Sequence, residues 1–146
     1  MEHVTVELVW KSIPFSVTLS SKINTAWVDM ISAVGSPMTK AVGESIIELE
    51  EKNVDQGFLV MSGSFSVQKD GAPEIVKEGP ELLGEMSRFN PLHKRTARVR
   101  AVTPISMIAF SWEEVFLGLN EGLTPEEVEQ LNHAFEQYAW EHFTEV

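Results

Sequence analysis

The sequence predicts a mainly β protein with flanking α-helices: a sandwich or barrel of short strands followed by C-terminal helices. Two observations support this fold class. Short apolar runs between Gly57 and Phe110 are separated by glycine and proline, which is typical of sandwiches and barrels rather than parallel α/β sheets. Beyond residue 111, apolar residues recur at intervals of three or four, which indicates helices. The chain has 146 residues, 43% of them hydrophobic, enough for one domain with a core.

The first 42 residues form an N-terminal segment with an uneven pattern. Val4 to Trp10 predicts a strand. Apolar residues then repeat at helical spacing from residue 22 to 34, and Gly35 with Pro37 ends that pattern. We therefore expect one helix in this segment, just before the strand-rich region.

The middle of the chain alternates between strand and turn signals. Gly57 to Val67 predicts two strands around a tight turn at Ser62-Gly63-Ser64, and Asp70-Gly71 supplies the next turn. Further strands are predicted at Ile75–Val76, Ala97–Ala101 and Ile105–Phe110. Because Arg98 and Arg100 alternate with small apolar residues, we expect both arginines to face solvent.

The C-terminal region carries a strong helix-start signal at Thr124-Pro125-Glu126-Glu127, which combines an N-cap, a first-turn proline and a capping-box glutamate. A shorter helix is expected from Trp112 to Leu119. The long helix has an apolar stripe formed by Val128, Leu131, Phe135, Tyr138 and His142. Such a stripe by default packs against the rest of the domain. Packing against a second subunit is the alternative.

Charge and composition exclude several functions. A formal net charge of −11 disfavours binding to nucleic acid, which requires a basic surface. The chain has no cysteine, and no apolar run is long enough to cross a bilayer, so a cytoplasmic protein without disulfides is expected. The four histidines lack the spacing of a zinc site, and neither a catalytic triad nor a nucleophile elbow is evident. We therefore expect no enzyme activity, no catalytic residue, no metal and no cofactor.

All four arginines nevertheless lie between residues 88 and 100, within an otherwise acidic chain. In the same part of the sequence, Gly84-Glu85 follows one predicted strand and Arg95-Thr96-Ala97 opens the next. This order can place a carboxylate and a guanidinium on either side of one small ligand. A carboxylate accepts hydrogen bonds from ribose hydroxyls, and a guanidinium holds phosphate oxygens with two donors. The pair therefore suits a sugar phosphate.

These motifs resemble those of the cyclic-nucleotide-binding domain, a module of catabolite-activator-type regulators, cyclic-nucleotide-dependent kinases and gated channels. The resemblance covers roughly half the chain, from about Gly43 to Leu119. The matching segments are Gly43–Ile46, Gly57–Gly63, Leu83–Glu85, Arg95–Ala97 and Val99–Ala101. The resemblance implies one domain containing an antiparallel, jelly-roll-like β-roll over residues 43–111. The N-terminal segment 1–42 would precede the roll, and C-terminal helices over residues 112–146 would follow it.

The resemblance also implies a ligand-binding cassette, the loop that holds the cyclic phosphate. Its ligand-binding residues would be Leu83, Gly84, Glu85, Arg95, Thr96 and Ala97. Glu85 would bind the ribose 2′-hydroxyl and Arg95 the cyclic phosphate. The ligand would be cyclic AMP or cyclic GMP, since family members with a hydroxyl residue after the arginine include both preferences. The implied function is a sensor whose C-terminal helices transmit ligand occupancy to an effector protein or within a homodimer.

Two alternatives remain. Met86 to Pro91 departs from the family pattern, with Arg88 where a leucine is common. A degenerate roll that no longer binds nucleotide, and acts as a dimerisation or protein-interaction domain, is therefore the second hypothesis. A metal-dependent cupin enzyme, which shares a similar roll, is the third and most distant hypothesis because the chain lacks clustered histidines.

Overall fold

The computed structural model describes residues 3–48, 55–69, 71–84 and 97–145. The N-terminal helices are α1 (His3–Lys11), a 3-10 helix (Pro14–Thr18) and α2 (Ser21–Val34). The C-terminal helices are α3 (Trp112–Gly122) and α4 (Pro125–Glu145). Between them the described residues form eight strands: β1 (Ser36–Lys40), β2 (Ser45–Ile47), β3 (Gln56–Ser62), β4 (Ser64–Lys69), β5 (Ile75–Glu78), β6 (Glu81–Leu83), β7 (Ala97–Ala101) and β8 (Ile105–Ser111).

The strands form two four-stranded sheets that face each other. The first, in the order β1-β8-β3-β6, is called the helix-covered sheet, and the second, in the order β2-β7-β4-β5, is called the outer sheet. Every pairing between neighbouring strands is antiparallel. The predicted class, a mainly β roll with flanking helices, is confirmed.

The expected strand at Val4–Trp10 is wrong, because these residues belong to α1. Val6 and Trp10 lie four residues apart and are both fully buried, whereas Leu8 between them is 66% exposed. Alternating apolar residues suggested a strand, but burial of one helical stripe against the rest of the N-terminal helices decides the conformation.

The tight turn at Gly63 does join two strands, but it does not form a hairpin. Strand β3 pairs with β6 and β8, while β4 pairs with β5 and β7, so the chain passes from one sheet to the other at Gly63. Gly63 has a φ of 108°, and a Cβ there would lie 2.5 Å from the Pro104 carbonyl oxygen. Only glycine fits this crossing without strain.

Strand β1 comes from the N-terminal segment. It pairs along its whole length with β8, from Ser36 opposite Ala109 to Lys40 opposite Ile105. The first strand of the roll therefore precedes residue 43, where the family resemblance began.

The helix-covered sheet is buried on both faces at β3 and β8. Leu59, Leu82 and Ile108 pack with the helices, while Phe58 and Met107 point into the space between the two sheets. This arrangement explains why Ile105–Phe110 is a nearly continuous apolar run and not an alternating one.

The helices contribute an aromatic cluster centred on Trp27. Its ring centroid lies 5.3 Å from that of Trp10, 5.6 Å from Phe110, 5.8 Å from Trp112 and 4.9 Å from Phe135. These separations lie in the range where aromatic pairs attract beyond simple area burial. The cluster joins α1, α2, α3, α4 and β8 into one core.

Both C-terminal helices begin at a side-chain cap, of which the one at Thr124 was predicted. Thr124 and Glu127 form a reciprocal capping box, with each backbone N–H donating to the other side chain. At the start of α3, the Ser111 hydroxyl accepts from the Glu114 N–H and donates to the Asp55 carboxylate over 2.6 Å. Within the described residues, no helix combines the length and apolarity that crossing a membrane would require.

Candidate functional site

The predicted cassette is bordered by the end of β6 and the start of β7, which lie in different sheets. Leu83 ends β6 opposite Phe58 and is 7% exposed. Gly84 follows with a φ of 90°, a conformation that favours glycine. Leu83 and Val99, two residues into β7, belong to the same buried cluster between the sheets. Both borders of the cassette therefore face the interior of the roll.

Three of the six predicted ligand-binding residues are described. Leu83 and Gly84 lie at one border of the cassette, and Ala97 begins β7 at the other. Glu85, Arg95 and Thr96 lie outside the described residues. The ligand-binding roles of all six residues stay predictions.

The inward face of the outer sheet continues from β7 across β4 to β5. Val67 on β4 lies opposite both Ile75 on β5 and Val99 on β7, so these three side chains share one face. Val99 is 3% exposed, Val67 is half-buried and Ile75 is 37% exposed. The same inward face therefore changes from core at β7 to a surface that solvent reaches at β5. An apolar, accessible strip of this kind can contact the flat face of a small ligand.

Two lysines extend this inward face. Lys69 lies opposite Ala97, and Lys77 lies opposite Phe65, a fully buried core residue. Both lysines are half-buried, and burial lowers the pKa of Lys69 below its ordinary value. Sequence reasoning missed them, although Phe65, Val67 and Lys69 continue one alternating series. The prediction of inward-facing residues looked for apolar side chains, so a lysine at such a position was not recognised.

The opposite face of the outer sheet carries both of the arginines that the structure describes, Arg98 and Arg100. Arg100 is exposed as expected, and Arg98 is half-buried with its Nε 3.6 Å from a carboxylate oxygen of Glu48. Both lie on the face away from the roll interior, because Val99 between them is core.

The C-terminal helix contacts the strand that leads into the cassette. The Tyr138 hydroxyl on α4 donates a hydrogen bond to the Glu81 carboxylate at the start of β6. Tyr138 and Leu82 also belong to the same buried cluster. The predicted stripe is confirmed for Val128, Leu131, Phe135 and Tyr138, which are all buried within the chain. His142 lies among residues whose side chains are not described.

The described residues contain no group of three or more histidine, aspartate or glutamate side chains able to hold a metal ion. Leu83 and Gly84 at the end of β6 and Ala97 at the start of β7 mark the two ends of the predicted cassette, and ligand binding between them stays a prediction.

Comparisons of sequence find no protein-family model and no curated protein that matches this chain. Comparison of structures does find similar folds. The N-terminal domain of a transcriptional regulator from Streptomyces coelicolor A3(2) superimposes with a TM-score of 0.67 and 23% identity, covering 92% of this chain and 94% of that one.

The catabolite activator protein of Thermus thermophilus superimposes with a TM-score of 0.60 and 20% identity. The match covers 82% of this chain and 56% of the activator, so this chain corresponds to little more than half of that protein. The chain therefore has a β-roll fold similar to that of the catabolite activator protein, the fold that the sequence resemblance implied.

Proposed function

We propose that this chain is a regulatory module that binds a cyclic nucleotide in the cassette between β6 and β7 and has no catalytic activity of its own. One observation carries the proposal. Leu83 and Val99 are buried in the same roll interior on two different sheets, and the residues between them include Glu85 and Arg95. A ligand held there would have a carboxylate for its ribose, a guanidinium for its phosphate and the strip of Val67 and Ile75 beside it.

The fold supports this proposal because it provides the two-sheet roll that the motif resemblance implies. The structural neighbours are a transcriptional regulator domain and a catabolite activator protein, both named for regulation. Regulation by a small ligand in the cytoplasm is consistent with those neighbours. The net charge of −11 leads us to propose that this chain itself does not bind nucleic acid.

A thermal-shift titration with cyclic AMP and with cyclic GMP tests the proposal, because a ligand that binds only the folded state raises the melting temperature. Arg95→Ala should abolish the shift, since a buried phosphate without its charge partner costs about 2 to 5 kcal/mol. Arg100→Ala is the matched control, because it removes the same charge from the exposed outer face of β7. Its shift should equal that of the wild type.

The two variants separate binding from folding. Arg95→Ala should melt at the wild-type temperature when no nucleotide is present. A wild-type protein that shows no shift with either nucleotide would contradict the proposal and favour the degenerate interaction domain. Glu85→Gln should weaken binding while leaving the melting temperature of the unliganded protein unchanged, because its expected partner is the ribose.

We further propose that α4 is the output element of this sensor. The Tyr138–Glu81 hydrogen bond ties α4 to β6 only three residues before Gly84, which supports a mechanical connection to the cassette. Since a ligand transmits a signal only if it favours one arrangement over another, binding should change hydrogen exchange in α4. Tyr138→Phe should reduce that change without altering affinity. An unchanged exchange response in Tyr138→Phe would contradict this role of the hydrogen bond.

The second candidate function, dimerisation through the C-terminal helix, has less support. The apolar residues of α4 from Val128 to Tyr138 are buried against this chain's own core. Along residues 125–138, where the side chains are described, a partner would have to contact the polar face, where Glu129 and Glu136 are exposed. Sedimentation of the purified protein shows whether it dimerises, and a dimer that gives no thermal shift with either nucleotide would favour the second function.

A further inference from the structure

The outward face of the outer sheet carries two neighbouring positive charges on β7. Val99 is buried in the core, so Arg98 and Arg100 on either side of it both point outward. The geometry of a strand places their Cα atoms about 7 Å apart. The whole chain has a formal net charge of −11. This pair of cations therefore stands out against an acidic protein.

The residues opposite the two arginines do not neutralise them. Arg100 lies opposite Ser45 on β2 and Ser66 on β4, and Arg98 lies opposite Gln68 on β4. All three neighbours are uncharged, although the chain has 22 aspartate and glutamate residues. Cross-strand pairs of opposite charge would stabilise the sheet, so this arrangement is not the one that stability alone favours.

Ion pairing within the described residues also leaves both guanidinium groups available. A carboxylate oxygen of Glu48 lies 3.6 Å from Arg98 Nε, which is beyond hydrogen-bond distance. Arg100 is exposed and forms no ion pair with any residue in the described ranges. An anionic partner would relieve the repulsion between the two cations and fill their hydrogen-bonding capacity.

An apolar side chain lies on the same face, across β4 from Arg100. Ser66 separates Arg100 from Val76 in one cross-strand row. Ser66 is 5% exposed, whereas Val76 is 62% exposed. The short serine thus forms the floor of a shallow depression along β4, with a guanidinium on one side and an apolar side chain on the other.

We propose that this face docks an extended acidic segment of a partner protein, which lies along β4 with carboxylates at alternate positions against Arg98 and Arg100. Side chains two residues apart on an extended chain share a face and are about 7 Å apart, which matches the spacing of the arginines. A guanidinium binds a carboxylate through two parallel hydrogen bonds. The exposed Val76 would contact an apolar side chain of the same segment.

Charge and shape favour a protein segment over a nucleic acid. Nucleic-acid binding relies on many phosphate contacts made by a basic surface. The described part of this face offers two arginines, in a chain whose net charge is −11. The inference is independent of nucleotide binding, because the face points away from the interior of the roll.

The test is fluorescence anisotropy of the full chain with labelled peptides at low ionic strength. A peptide containing Glu-Ser-Glu should bind at least about 10-fold more tightly than the same peptide with Gln-Ser-Gln, the usual effect of hydrogen bonds to charged groups. Arg100→Gln should lose about 10-fold in affinity for the first peptide. Lys11→Gln is the matched control, because it removes the same charge from α1, where Lys11 pairs with Glu7. It should bind as the wild type does.

A variant with the opposite expected sign separates local from net charge. Glu48→Gln removes the carboxylate that competes for Arg98, so affinity should rise about 2- to 5-fold. Glu126→Gln removes the same charge from the exposed start of α4 and should leave affinity unchanged. Equal gains in the two variants would mean that only net charge matters, which overturns the proposal.

Three further outcomes overturn the proposal. One is a wild type that does not distinguish the glutamate peptide from the glutamine peptide. Another is tighter binding of a labelled oligothymidine that Arg100→Gln abolishes, which would assign the face to nucleic acid. The third is a wild-type dimer that Arg100→Gln converts to a monomer in sedimentation, which would assign the face to a second copy. None of these measurements includes a cyclic nucleotide, so the proposed sensor function stands or fails separately.

Discussion

The two sheets of the roll differ in how many of their faces are buried. The helix-covered sheet has helices on one face and the roll interior on the other, so Phe58, Leu59 and Val60 are buried in succession on β3. The outer sheet has one inward face, and on β7 buried Val99 stands beside exposed Arg100. The first sheet thus acts as the structural centre of the domain. The second has an inward face that becomes accessible to solvent at Ile75.

The largest expected loss of stability comes from removing Trp27, the centre of the aromatic cluster that covers the first sheet. Trp27→Ala should destabilise the protein by about 3 to 5 kcal/mol, because it leaves a cavity among four other aromatic rings. Chemical denaturation measures the effect. Leu117→Ala is the control, since Leu117 belongs to the same helical layer but is 63% exposed. If the two variants lose similar amounts of unfolding free energy, the assignment of the core to this helical layer is contradicted.

A smaller effect is expected from adding one methyl group to the helix-covered sheet. In Gly57→Ala on β3, the new Cβ would lie 2.6 Å from a Phe110 ring carbon and 2.8 Å from one of Trp112. Overpacking of this kind costs about 1 to 3 kcal/mol. Gly122→Ala at the end of α3 is the control, because a Cβ there meets no atom within 4 Å. Equal denaturation midpoints in the two variants would contradict the tight packing around Gly57.

The smallest effect concerns the surface link between α2 and α4. The Lys22 ammonium, 2.8 Å from Glu127, together with the Thr124 cap, lowers the pKa of the Glu127 carboxyl. A carboxyl whose pKa is lower in the folded state stabilises the protein above its unfolded pKa, and this contribution is lost as the pH falls through the folded value. Glu127→Gln should therefore melt below the wild type at neutral pH and approach it in acid.

The pH series uses Glu126→Gln as its control, since Glu126 is an exposed residue of the same helical turn. The melting temperatures of the wild type and Glu127→Gln should converge as the pH falls. If their difference stays constant from about pH 7 to pH 3, the ionised carboxylate does not cause the stabilisation. Because the pair is at the surface, high salt should reduce the difference as well.

The sequence by itself determined the features that depend on local pattern. Helix α2, the start of α4 at its Thr124 capping box and the alternation of Arg98 with Val99 were all predicted, because caps and periodicity act between neighbours in the chain. The cassette motif around Gly84 was also evident from sequence, since residue order alone carries that resemblance. Its fold-level implication, the two-sheet roll, was confirmed.

Only the tertiary structure decided the features that depend on residues distant in the chain. Val6 and Trp10 form a helix because a buried stripe outweighs the strand-like alternation around them. Gly63 carries the chain between sheets because β3 and β4 each find other partners. Lys69 lies opposite Ala97, 28 positions later in the chain, because β4 pairs with β7. Burial and strand register are properties of the assembled sheets, so no local pattern contains them.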